Sequence, residues 1–217
     1  MVFKHAKTYG PHLVLRSILV FLVAFTIAYG LFNYRFLIEY ARFKLSEVQY
    51  AAYEPDKGSV VHLPVSEYRK PKPLPQEAEI IVDRIRLRAP IVFGVANDET
   101  TIFNSLEKGV VNYPETVKPG EAGLSLLLGH SSAYPWYRGN YGSVFALLGQ
   151  LKKDDIVYIR YKDGRTFTYK IYDSVIFSPF DNDHSYLQTN SESNLVLLSC
   201  WPVSTNYKRI AIKAMLI

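Results

Sequence analysis

Three side chains stand where apolar runs of the sequence stop or start, and together they could perform acyl transfer. The single cysteine, Cys200, follows Leu195-Val196-Leu197-Leu198-Ser199 and precedes Trp201-Pro202. Proline donates nothing to a strand ladder, so the chain should turn there and leave Cys200 at a sheet rim. His130 ends the run Leu126-Leu127-Leu128-Gly129, and Gly129 permits a close backbone approach. Arg209 follows Cys200 by nine residues and heads Ile210-Ala211-Ile212. A thiol attacks as thiolate, which a neighbouring imidazolium or guanidinium favours. An arginine also supplies charge-assisted donors to a developing oxyanion. A lone cysteine is more often a small buried hydrophobe, and periodicity alone does not bring the three together.

The remaining histidines carry less chemistry. His5 and His12 precede a long apolar run, His62 lies in a proline-rich stretch, and His184 sits in the polar loop Asp181-Asn182-Asp183-His184. That loop lacks EF-hand spacing, and a solvated turn is its simpler reading. No Cys/His array suggests zinc and no glycine-rich loop suggests a nucleotide, so neither metal nor cofactor is expected.

Positioning such a trio falls to a β-rich segment from residue 79 onward. Ile80-Ile81-Val82 and Ile85-Arg86-Leu87 read as strands ending at Pro90, followed by Ile91–Val95. Asp98–Lys108 reads as a helix capped by Asp98 or Thr100, with Ile102, Phe103 and Leu106 on its apolar face. Pro119-Gly120 marks a turn before the Leu124–Gly129 strand, and Ser143–Leu151 reads as a short helix. Ile156–Tyr161 and Arg165–Val175 form a hairpin around Asp163-Gly164. Leu195–Cys200 and Ile210–Leu216 complete the set. Many short strands with two or three short helices point to a mainly β fold, a closed or nearly closed barrel.

The composition narrows the class. The chain has 217 residues, 48% hydrophobic and 21% charged, which excludes disorder. One cysteine excludes an intramolecular disulfide. The formal charge is +5, but residues 1–47 hold six basic and two acidic side chains, a surplus of four. The folded part is nearly neutral, so no nucleic-acid partner is expected.

The basic surplus surrounds an apolar run. Ser17–Tyr34 is uncharged and, with its flanks, reaches the ~20 residues that cross a hydrocarbon core. Lys4, Lys7 and Arg16 precede it, which predicts a cytoplasmic N-terminus and an extracellular remainder. A cleaved signal peptide is the rival, but the run is long and Ala28-Tyr29-Gly30 is a poor cleavage site. The expected organisation is 1–16 cytoplasmic, 17–38 transmembrane, 39–78 an amphipathic helix and proline-rich spacer, and 79–217 catalytic. The spacer reads as a stiff stretch holding the domain off the membrane. Leu63-Pro64-Val65-Ser66 within it could fold over the site as a lid, although a solvated linker is the simpler reading.

The order of these features resembles the sortases, membrane-anchored cysteine transpeptidases of mainly Gram-positive bacteria. The resemblance covers residues 79–217 and the anchor. It rests on the Ile80–Ile91 strands, Gly109-Val110-Val111, Pro119-Gly120, the run into Gly129-His130, the hairpin, Cys200-x-Pro202 and Arg209. The family's Thr-Leu-x-Thr-Cys stands here as Val196, Leu197, Leu198, Ser199 and Cys200, with serine retaining the second hydroxyl. The resemblance implies an eight-stranded barrel with a catalytic His130, Cys200 and Arg209. It implies a thioester on Cys200 formed from an LPxTG-like sorting signal, then transfer to an amine such as a peptidoglycan precursor or a pilin lysine. Ser131, Leu197, Ser199 and Trp201 would line the substrate groove, with core packing an equal reading for Trp201. No segment follows the last strand and the Ser178–Leu195 connection is short, which favours a general anchoring type over a pilin-polymerising one. An L,D-transpeptidase would show His-Gly-Cys, and a papain-like hydrolase would place cysteine before histidine. The alternative of another class is a membrane-anchored, non-catalytic β-barrel binding or adhesion domain.

Overall fold

Side-chain alternation decides which face of each strand meets the core. The computed structural model describes residues 11–50, 73–133, 137, 139–180, 187 and 192–217. Eight strands occur among them: β1 (Ala78–Val82), β2 (Leu87–Val92), β3 (Val110–Asn112), β4 (Gly123–Leu128), β5 (Ile156–Tyr161), β6 (Thr166–Phe177), β7 (Ser193–Trp201) and β8 (Lys208–Leu216). They close into a barrel in the order β1-β2-β3-β4-β7-β8-β6-β5. Closure leaves no open sheet edge, the liability of a β-rich chain.

Strands β4 and β7 lie side by side in the barrel. They are parallel, with Ser125 opposite Leu195 and Leu128 opposite Leu198. Both strands are apolar on both faces, as parallel strands covered on two sides are. Inward, Leu127, Leu195, Leu197, Ile212 and Ala214 join the interior core with Ile80, Ile159 and Tyr169. Outward, Leu126, Val196 and Ala211 form a second cluster with Leu128, Leu198, Phe177 and Leu187. β8 is antiparallel to both β7 and β6, which fixes the register around Cys200.

Local chemistry sets the connections. Helix α2 (Glu99–Ser105) starts at Asp98, whose carboxylate accepts from the Thr101 amide at 2.8 Å. Gly164, at φ +89, closes the β5–β6 hairpin, a conformation that costs other residues. From the interior cluster, Tyr161 Oη donates to the Pro119 carbonyl and Tyr169 Oη accepts from the Gly120 amide, each at 2.7 Å.

Two sequence expectations are corrected. The strand expected to end at Pro90 runs through it, and Asp83–Ile85 is a 3-10 turn instead. Pairing of β2 with β3 starts only at Ile91, so Pro90 sits where its missing N–H costs no ladder bond on that side. Ser143–Leu151 is a series of turns with one 3-10 turn, Leu148–Gln150, not a helix. Phe145, Ala146, Leu147 and Leu148 are all buried, and Phe145, Leu147 and Leu148 join the interior cluster, without helical periodicity.

The N-terminal element is one 40-residue helix, α1 (Pro11–Tyr50). Its segment Val14–Tyr34 is long and apolar enough to cross a membrane, with mean hydropathy 2.1. Beyond that segment, Phe43 is buried in the interior cluster and Phe36 and Tyr40 pack beside it. The proline-rich residues 51–72, including Leu63-Pro64-Val65-Ser66, lie outside the described residues, as do His5, His62 and His184. Just before β1, the Leu74 and Pro75 carbonyls accept from Lys118 Nζ at 3.1 and 3.2 Å.

Candidate active site

Cys200 and Arg209 are register partners at the ends of β7 and β8. Residues opposite one another in antiparallel strands share a face. By alternation that face is the outer one, continuous with Leu198, Ala211 and Phe177. Cys200 is a half-buried free thiol. The Arg209 guanidinium donates through Nη1 to the carbonyls of Lys208 and Asn206, at 3.0 and 3.1 Å.

His130 reaches the same rim from β4. The Gly129 amide donates to the Leu198 carbonyl at 3.2 Å, which carries the β4–β7 pairing one residue past the strand. Ser199 Oγ donates to the Gly129 carbonyl at 2.7 Å and ties the two strand ends together. Continued two residues beyond Leu128–Leu198, the last pair of the register, this alignment brings His130 to the height of Cys200 on the neighbouring strand. Gly129 is needed here for space, since a Cβ would stand 2.5 Å from the Phe145 ring.

The imidazole is held between two aromatic edges. Phe103 of α2 and Tyr137 each lie 5.5 Å from its centroid, nearly perpendicular to it. Tyr137 Oη is anchored by donating to the Leu106 carbonyl at 3.0 Å. Phe103 is 50% exposed, so it covers His130 rather than joining the helix's buried face as its spacing suggested. Burial pushes His130 below the ordinary histidine value, and Glu107 opposes this only in part. The ring therefore favours its neutral form. Its Nε2 is buried without a hydrogen-bond partner among the described residues.

Three of the four expected groove residues are buried, and Trp201 is half-buried. Leu197 is fully buried and belongs to the interior cluster, because its register faces inward. Ser199 is 4% exposed and spends its hydroxyl on Gly129. Ser131 is 2% exposed. Trp201 packs on the interior cluster, with its ring filling the space a Gly149 Cβ would need. On the outer face, one position away from Leu197 along β7, stands Leu198, with Leu128 beside it on β4 and Leu126, Val196 and Ala211 beneath.

No group of three or more His, Cys, Asp or Glu among the described residues is arranged to hold a metal. What stands at the rim is a thiol, a guanidinium across from it and a neutral-leaning imidazole. That set suits nucleophilic attack on a carbonyl with proton transfer to a leaving group.

Comparison with known proteins agrees with this class. The model of the sortase domain matches residues 80–217, well over half the chain. Sortase D of Bacillus subtilis (strain 168) is 28% identical over 165 residues, covering 74% of each chain. The crystal structure of sortase C-1 from Actinomyces oris is 25% identical, with TM-score 0.53, over 64% of this chain and 73% of that one. Sortase A from Corynebacterium diphtheriae, 24% identical, has the same fold, with TM-score 0.53 over 67% of this chain and 62% of that one. A barrel of this topology ending in these strands, matched by the domain model over its whole length, makes the chain a member of the sortase family.

Proposed function

We propose that the protein is a cysteine transpeptidase acting on an LPxTG-like sorting signal. The observation that carries this reading is the register pairing of Cys200 with Arg209 beside the end of β4. Neutral His130 takes the Cys200 thiol proton as Sγ attacks the scissile carbonyl carbon. Arg209, turned from its local carbonyls, donates to the oxyanion. The tetrahedral intermediate collapses with loss of the amine, which receives the proton from His130. The product is a thioester on Cys200. An incoming amine then attacks the thioester, gives a proton to His130, and leaves an amide as Sγ departs and recovers it. The acceptor is an amine such as that of a peptidoglycan precursor, and the general anchoring type fits the short β6–β7 connection.

Apolar residues of the signal would rest on the outer floor of Leu128 and Leu198. The α1 segment serves as a single-pass anchor with a cytoplasmic N-terminus and an extracellular barrel. Cleavage of a fluorogenic LPxTG-type peptide tests the assignment. Cys200→Ala should be inactive and folded, a thiol-reactive reagent should abolish turnover of the unmodified protein, and Arg209→Lys should lose most activity because a point charge does not replace a guanidinium fork. Turnover by Cys200→Ala would overturn it.

A further inference from the structure

Helix α1 does more than lead into the barrel. Asn33, one residue before the end of the apolar segment, is 9% exposed. Its Oδ1 accepts a hydrogen bond from the Ser204 hydroxyl. Ser204 lies in the turn between β7 and β8, four residues after Cys200 and five before Arg209. The Ser204 amide in turn donates to Ser132 Oγ at 3.0 Å, two residues after His130. One turn thus links the helix to the chain segments carrying all three rim residues.

The contact extends along the helix. Asn33, Phe36, Tyr40 and Phe43 recur at spacings of three and four, one face of an α-helix. Phe43 is 3% exposed, and Phe36 and Tyr40 pack against the same cluster with ring centroids 5.8 Å apart. Leu37 and Ile38, off this stripe, are 40% and 44% exposed. Toward the N-terminus the pattern changes: Phe21, Phe25, Leu31 and Phe32 are each more than half exposed. A long helix that is apolar all round and uncovered needs a hydrocarbon solvent.

We infer that α1 docks the barrel directly at the phospholipid surface, with the β7–β8 turn at headgroup level and the reactive rim beside it. The apolar segment ends at Tyr34, so Asn33 and the turn bonded to it lie where hydrocarbon gives way to headgroups. Tyr207 of that turn is 74% exposed, an aromatic of the kind found at such an interface. The β5–β6 hairpin is at the far end of the barrel. β6 meets β8 at Phe177–Arg209 near the rim and at Tyr169–Leu216 toward the hairpin. A rim at the bilayer differs from the domain at the end of a stiff spacer that the proline content suggests. The inference does not depend on which residues react.

The full-length protein in vesicles of phosphatidylcholine and phosphatidylglycerol tests it, in a Cys200→Ala background free of other thiols. Asn33→Cys with Ser204→Cys should form a disulfide under mild oxidant several-fold faster than Leu37→Cys with Ser204→Cys. Equal rates, or no bond in either pair, would overturn the docking. A second measurement leaves Asn33 and Ser204 intact. A fluorophore on Tyr207→Cys should be quenched by headgroup-nitroxide lipid several-fold more than one on Asp163→Cys in the far hairpin. Equal quenching would place the rim away from the membrane and refute the inference even if the helix contact formed.

Discussion

The proposed role of His130 asks for a ring that favours its neutral form and is held in place, and its surroundings favour both. Phe103 and Tyr137 fix the ring by their edges, and burial disfavours the imidazolium. This has a consequence for stability. The unfolded imidazole takes up its proton near pH 6.5, and the folded one only at lower pH. Neutral His130 therefore supports the fold above about pH 6.5, and stability is lost as pH falls below that value. Thermal unfolding between pH 5 and 8 should show a steeper acid-side decline for the natural chain than for His130→Ala. Parallel profiles would mean that the ring is not held neutral by its site. The residue types themselves were legible: Cys200, His130 and Arg209 each follow or head an apolar run. The aromatic clamp was not, because Phe103 and Tyr137 lie 34 residues apart and meet only across His130.

At the scale of elements, the site depends on two parallel strands ending together. The Gly129–Leu198 backbone bond and the Ser199–Gly129 bond hold β4 and β7 level. Gly129 makes this possible because the Phe145 ring occupies the space of a side chain. Gly129→Ala should destabilise the protein by about 1–3 kcal/mol, the usual cost of overpacking a filled interior. It should also reduce turnover, since β4 must shift and carry His130 with it. Phe145→Leu in the same chain should recover part of the loss. Denaturant unfolding and peptide cleavage check both, and an unchanged midpoint would contradict the close approach. Strand positions were readable from apolar runs, but their facing was not. The Leu126–Leu128 and Leu195–Leu198 runs are apolar on both sides, so alternation gives no signal, and neighbours such as Leu197 and Leu198 join opposite clusters.

For the whole molecule, barrel closure and helix docking are separable. The eight strands complete their ring without α1. A chain beginning at residue 73 should therefore fold, with lower thermal stability, because the site that buries Phe43 is left uncovered. Burial of one such side chain contributes about 1.5–3 kcal/mol. Circular dichroism melts of the two chains in detergent measure it, and equal midpoints would mean that α1 adds nothing to the barrel.

Local chemistry determined what was legible in advance: the apolar segment by its length, the Asp98 cap by its side chain, and the hairpin by Asp163-Gly164. Each depends on residues within one turn or one run of each other. The level of Cys200 with Arg209 and His130, the outward facing of the rim and the seating of Phe43 on the barrel depend on pairing between residues tens of positions apart. No local pattern encodes such registers. They follow from closing the barrel, where all eight strands must satisfy their hydrogen bonds and bury their inner faces at once.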